Sequence, residues 1–157
     1  MYSVLFVCTG NICRSPTAEA VFRHHIEQHD LSDKVTTDSA GTHGYHVGDP
    51  PNESAVLVAK ERGISMDGLA ARKFDASDFD RFDLVLAMDD GHFRILDAHR
   101  PSDGKGDLKM FMDFAPGQGV RDVPDPYYGG IEDFEYALNL IEAGSLGLIT
   151  HIRDRIL

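Results

Sequence analysis

Cys8 to Ser15 reads Cys-Thr-Gly-Asn-Ile-Cys-Arg-Ser, with five residues between a thiol and a guanidinium. An apolar run, Val4 to Val7, precedes it, and a helix-forming stretch begins at Thr17. Ser15 and Pro16 read as the N-cap and first helical residue, so the segment predicts a strand, a tight loop and a helix start. Such a loop turns successive N–H groups inward and adds the positive end of a helix dipole, which makes an anion cradle. Thr9, Gly10, Asn11, Ile12, Cys13 and Ser15 are the candidate phosphate contacts. Cys8 at the base of the cradle is favoured as a thiolate. Arg14 can grip two phosphate oxygens from the side. A nucleophile beneath an anion site suggests phosphoryl transfer through a cysteinyl-phosphate. The Ser15 hydroxyl can cap the helix and also reach the thiolate.

A phenolate leaving group needs a proton as the P–O bond breaks. Asp125, before Pro126 in a Gly- and Pro-rich segment able to fold over a pocket, is a candidate acid. Asp122 is its rival, and spacing does not separate them. Asn11 tolerates a left-handed backbone and can tie a loop together. Tyr45, Tyr127 and Tyr128 could wall a pocket for a flat phenyl ring. Cys13 is either a small loop filler or a reversible disulfide partner that shields Cys8 from overoxidation. His25 and His29 have helical metal-ligand spacing but no obvious third ligand. The thiol mechanism calls for neither metal nor cofactor.

These residues resemble the low-molecular-weight protein tyrosine phosphatases. Val7 to Pro16 resembles that family's signature loop, and Asp125-Pro126-Tyr127-Tyr128 its general-acid loop. Asp38 to Gly41 resembles its second-strand end, Tyr45 to Gly48 the loop that walls the pocket, and Ala87 to Asp89 the end of its third strand. The resemblance covers essentially the whole chain in the family's order. It implies that Asp125 protonates the leaving group and later deprotonates the attacking water. It also implies that Ser39 braces Asn11 and that Tyr45 and Tyr127 line the pocket. The implied partner is a protein carrying phosphotyrosine.

Three other readings use the same loop. Thioredoxin-coupled arsenate reductases need further cysteines downstream, and none follows Cys13. A protein-arginine phosphatase branch tends to carry Thr where this chain has Ile12, and Ile narrows the pocket floor. A non-catalytic anion-binding module would keep Arg14 but would need neither Cys8 nor Asp125.

With 26 acidic against 15 basic residues, the net charge of −11 argues against a nucleic-acid partner. Phosphate must then be held by local donors, and the expected substrate is a small or exposed phosphorylated group. No run is apolar enough to span a bilayer, and Met1-Tyr2-Ser3 leads directly into the first strand, so neither a membrane segment nor a targeting peptide is expected. Two cysteines within one loop are no disulfide framework, which fits a cytoplasmic protein. Oligomeric state and physiological substrate are not encoded in any motif.

The elements that must position these groups alternate along the chain. Strands are predicted at Ser3–Val7, Val35–Ser39, Asp83–Met88 and Leu108–Phe111. Helices are predicted at Thr17–His29, Glu53–Gly63, Asp90–Arg100 and Ile131–Leu157, with Gly41 to Asn52 a surface loop. Ala18, Phe22 and Ile26 share one helix face, Val56 and Ala59 face inward on the next, and Gly63 is its stop signal. Phe134, Leu138, Ile141, Leu148 and Ile152 are the core face of the last helix, which Gly144 and Gly147 are expected to bend or interrupt. The whole predicts an α/β fold, a three-layer sandwich with a four-stranded parallel sheet and helices on both faces, in one domain over residues 1–157. Cys8, Ser39 and Asp89 all fall at C-terminal strand ends, where such sheets bind ligands.

Overall fold

A computed structural model describes residues 1–157. Its elements run β1 (Tyr2–Cys8), α1 (Arg14–Gln28), β2 (Val35–Gly41), α2 (Glu53–Glu61), α3 (Asp78–Arg81), β3 (Leu84–Ala87), α4 (Asp90–His99), β4 (Asp107–Met110) and α5 (Ile131–His151). The four strands form one parallel sheet in the order β2-β1-β3-β4. The expected α/β sheet with helices on both faces is therefore what the chain forms.

Alternation along β1 divides the core, because successive side chains of a strand point to opposite faces. Val4, Phe6 and Cys8 join one cluster with residues of α1, α2 and α5. Leu5 and Val7 join the other, with Phe79 before β3 and Leu96 of α4. Phe6 is gripped edge-on by Phe22 and Phe111, each with its ring centre 5.6 Å away. The same alternation puts the Cys8 thiol on the α1 side of the sheet, beneath the start of that helix.

Several elements differ from expectation. Helix α1 starts at Arg14, with Cys13 as its N-cap residue and no side-chain cap. Ser15 and Pro16 thus stand inside the first turn, where a proline is tolerated because its missing N–H would have no intrahelical acceptor. The Ser15 hydroxyl turns away from the helix end towards Cys8. Helix α2 ends at Glu61, two residues early, but Gly63 is its stop signal as expected. Its φ of +76° and N–H bond to the Lys60 carbonyl, with Ile64 N–H bonding the Ala59 carbonyl, close the helix as a Schellman turn. Its fully buried residues are Ala55, Val58 and Ala59, while Val56 is half-buried.

Gly144 and Gly147 do not interrupt α5, which is continuous from Ile131 to His151 before a π-helical turn at Ile152–Ile156. They are sites of close approach instead. A Cβ at Gly144 would overlap the Phe111 ring, and one at Gly147 would overlap the Phe114 carbonyl oxygen.

Candidate active site

Register gathers the loop ends. Cys8 pairs with Gly41 and Val7 with Ala87, so the C-terminal ends of β1, β2 and β3 share one edge of the sheet. The chain between Cys8 and Arg14 bends over this edge. The carbonyls of Cys8, Thr9 and Ile12 accept from the N–H groups of Thr42, His43 and Asn52. Those carbonyls are consumed from outside, whereas the N–H groups of Gly10, Asn11, Ile12 and Cys13 have no acceptor in the protein. Gly41 permits the contact between β2 and the loop, since a Cβ there would lie 2.7 Å from the Thr9 carbonyl oxygen.

Asn11 holds the loop's shape from a left-handed backbone, φ +58°. Its Oδ1 accepts from the Arg72 backbone N–H at 3.0 Å, which fixes the amide's orientation. Its Nδ2 then donates to Ser15 Oγ at 2.8 Å and to Ser39 Oγ at 2.9 Å. Both hydroxyl hydrogens are thereby directed elsewhere. Ser39 donates to Glu19 Oε1 at 2.6 Å. Ser15 Oγ faces Cys8 Sγ at 3.0 Å and the Ala40 carbonyl at 3.3 Å. Burial raises the Glu19 carboxyl above its usual range, against the opposing Ser39 bond and Arg23.

Arg14 is almost wholly buried, with 4% of its side chain exposed. Nη1 donates to Asp89 Oδ2 at 2.7 Å and to the Val123 carbonyl at 3.0 Å. Nε has no partner, and Nη2 stands 3.5 Å from Asp125 Oδ2. One edge of the fork is fastened and the Nε/Nη2 edge is presented to the cleft. The bond to Val123 also ties down the segment that carries Asp125, and the Val123 N–H bonds the Met88 carbonyl at 2.8 Å. Asp89 caps α4 through the His92 backbone N–H. Burial works to raise its carboxyl, but that N–H and the neighbouring His92 and Arg14 outweigh it and hold it below the usual carboxylate range.

Cys8, Thr9, Gly10, Ile12, Cys13, Arg14, Tyr45, His46, Asp125, Tyr127 and Tyr128 line a single cleft of about 260 Å³. Asn11, Ser15 and Ser39 lie behind it as buried supports. Tyr45 is stacked on His43 with ring centres 5.0 Å apart, and the ring of His46 faces Tyr127 at 6.2 Å. Asp125 accepts from the Tyr127 backbone N–H, which curls this strip over the cleft. Asp122, the rival acid, lies outside the cleft and accepts from the Asp90 backbone N–H at 3.0 Å. Both cysteines are free thiols, and burial, reinforced by Cys8 and Asp125, pushes the Cys13 thiol up to about 12. His25 pairs with Glu142 of α5 at 3.1 Å, away from the cleft, and no three His, Cys, Asp or Glu side chains are grouped to hold a metal.

Sequence reasoning missed His92. Its Nε2 lies 2.8 Å from Thr9 Oγ1 and 3.5 Å from Arg14 Nη2. The available signal was a histidine three residues beyond Asp89, where a helix-capping carboxylate meets its first turn.

Comparison with known proteins places the chain among enzymes. The sequence profile of the low molecular weight phosphotyrosine protein phosphatases matches residues 3–156. A low molecular weight protein-tyrosine-phosphatase of Streptomyces coelicolor is 46% identical over 158 aligned positions, covering 99% of this chain and 96% of the relative. The crystal structure of a protein tyrosine phosphatase from Entamoeba histolytica, with Hepes in its active site, superposes with a TM-score of 0.95 at 38% identity, over 100% of both chains. That of YfkJ from Bacillus subtilis superposes at 0.94 and 39% identity, over 100% of this chain and 98% of the other.

Proposed function

The chain belongs to the low molecular weight phosphotyrosine protein phosphatases, a family of hydrolases, and from that premise we propose that it hydrolyses phosphotyrosine and small aryl phosphates through a cysteinyl-phosphate. The observation that carries this reading is the buried, unpartnered Arg14 Nε at a cleft that also holds Cys8 and four unsatisfied loop N–H groups. Buried donors without acceptors are costly, and a phosphate dianion satisfies this set at once.

In the first step Cys8 Sγ attacks phosphorus in line with the ester oxygen. Arg14 Nε and Nη2 and the N–H groups of Gly10 to Cys13 hold the non-bridging oxygens, whose charge they stabilise in the transition state. Asp125, protonated, gives its proton to the departing phenolate. In the second step the Asp125 carboxylate takes a proton from water, which attacks phosphorus and expels Cys8 as thiolate. Ser15 then donates to that sulfur. The aromatic strip of Tyr45 and Tyr127 beside Ile12 suits a phenyl ring and supports phosphotyrosine on a protein as the substrate. A thiol nucleophile requires a reducing compartment, which supports action in the cytoplasm. We read residues 1–157 as one catalytic domain.

Turnover of para-nitrophenyl phosphate at mildly acidic pH, with EDTA present, tests the reading. Wild type should turn over, Cys8→Ser should be inactive, and Asp125→Asn should lose about a hundredfold or more in kcat. A wild type that binds phosphate without turnover would make the site an anion-binding module.

A further inference from the structure

His92 is 3% exposed, and no step of the proposed mechanism uses it. Its ring touches both ends of the phosphate loop. Nε2 is 2.8 Å from the hydroxyl of Thr9, the first residue after the nucleophile, and 3.5 Å from Nη2 of Arg14, the last. Nδ1 is in contact with Asp89 Oδ1 at 3.2 Å, too far off axis for a full hydrogen bond.

These neighbours decide where the ring proton resides. The Asp89 carboxylate, held by Arg14, only accepts, so a bare Nδ1 would set lone pair against lone pair. Arg14 only donates, so a hydrogen on Nε2, even though Thr9 Oγ1 could accept it, would leave the Arg14 Nη2 N–H facing a hydrogen instead of a lone pair. Both constraints select the neutral ring with hydrogen on Nδ1 and a lone pair on Nε2. Thr9, able to donate, then gives its hydroxyl hydrogen to Nε2. Burial, with Arg14 beside it, lowers the imidazole to about 4 despite the opposing Asp89, so the neutral form prevails at working pH.

We propose that His92 is a positioning residue of the phosphate loop: its Nε2 lone pair holds the Thr9 hydroxyl and keeps the loop's first residue in register with the Arg14–Asp89 clamp. Asp89, which caps α4 through the His92 backbone N–H, makes the first turn of that helix the anchor. The fork of Arg14 and the first turn of the loop are then spaced for one phosphate before it arrives, which is pre-organisation rather than a new contact. The proposal rests on the phosphatase reading for its consequence in turnover, but not for the tautomer or for phosphate binding.

The test pairs phosphate affinity with spectroscopy. Long-range proton–nitrogen correlation of the wild type should show His92 Nε2 bare and Nδ1 protonated; a hydrogen on Nε2 overturns the proposal, whatever the variants do. His92→Leu should weaken inorganic phosphate binding by about tenfold, the loss expected for one oriented neutral hydrogen bond. His92→Gln, whose amide oxygen can reach the Thr9 hydroxyl, should recover most of it. Thr9→Val should match His92→Leu, and the double variant should be no worse than either. Wild-type affinity in His92→Leu, or additive losses in the double variant, would overturn the proposal. Absence of para-nitrophenyl phosphate turnover in wild type would instead strike the phosphatase reading and leave these binding outcomes intact.

Discussion

Ser15 Oγ and Cys8 Sγ stand 3.0 Å apart in a buried contact, and the Asn11 amide approaches the same oxygen from behind at 2.8 Å. Because that amide donates, the serine's own hydrogen is free for sulfur or for the Ala40 carbonyl. The hydroxyl is therefore oriented for stabilising negative charge on Cys8.

Ser15→Ala removes that donor without disturbing a helix cap, since Ser15 is not one. A hydrogen bond to a charged group is worth about 1.5–3 kcal/mol, so kcat should fall by roughly 10- to 100-fold. Expulsion of the thiolate becomes the slow step, and para-nitrophenol should appear in a pre-steady-state burst. Unchanged kcat would show that the hydroxyl serves Ala40 alone.

Asn11→Ala tests the loop's internal support. It deletes the bonds to Ser15, Ser39 and the Arg72 backbone and leaves a Cβ in the left-handed region. Stability in urea should drop by about 3 kcal/mol. Asn11→Gly loses the same bonds but tolerates φ +58°, and should be about 1 kcal/mol less damaging. Equal losses would mean that the backbone carries no strain at this position.

The two ends of this network were not equally visible in sequence. The spacing of Cys8 and Arg14, with a strand before and a helix after, is local and readable from residue types. Residue type alone marks Ser15 both as a thiolate partner and as a cap; only the first holds, because its surroundings are set by Ala40 of β2 rather than by the end of α1. Helix α3 went unpredicted: its four residues have no periodicity, and its buried Asp78 is held by Arg72 and Arg81. Burial works to raise the Asp78 carboxyl, but Arg72, the Asp75 backbone N–H and Arg81 outweigh it and hold it below the usual carboxylate range. His92 escaped notice for the same reason, since what makes it informative is Thr9, 83 residues away in sequence.

Gly147 offers a prediction in which the sign itself is diagnostic. If the glycine served to loosen α5, alanine would stabilise the helix by about 1 kcal/mol. The Phe114 carbonyl occupies the space a Cβ needs, and backbone cannot rotate away as a side chain can. Gly147→Ala should therefore destabilise by about 3 kcal/mol, read as a lowered Tm with cooperative unfolding retained. A raised Tm would refute close approach as the reason for this glycine.

The depressed His92 imidazole makes stability depend on pH in a defined window. Burial and Arg14 lower it from 6.5 to about 4, with Asp89 and Asp125 opposing and His43 adding to the depression. Between those values the unfolded chain binds a proton that the native fold does not, so unfolding free energy rises with pH there. This contribution is fully present above about pH 6.5 and is lost as pH falls towards 4, up to about 3 kcal/mol in all. Asp78 and Asp89, both depressed from 3.8, begin to lose their own contributions only near and below that value. Glu19 acts in the opposite sense: raised above 4.5, it makes the native fold bind more protons and gain stability as pH falls through the lower part of the window. The comparison must therefore be between wild type and His92→Gln, which share Glu19. Urea unfolding from pH 7 to 4 should show wild type losing stability more steeply, with the two curves converging or crossing towards pH 4. Parallel curves would mean that the His92 ring takes up its proton in the native fold as readily as in the unfolded chain, and that its contact with Arg14 imposes no electrostatic cost.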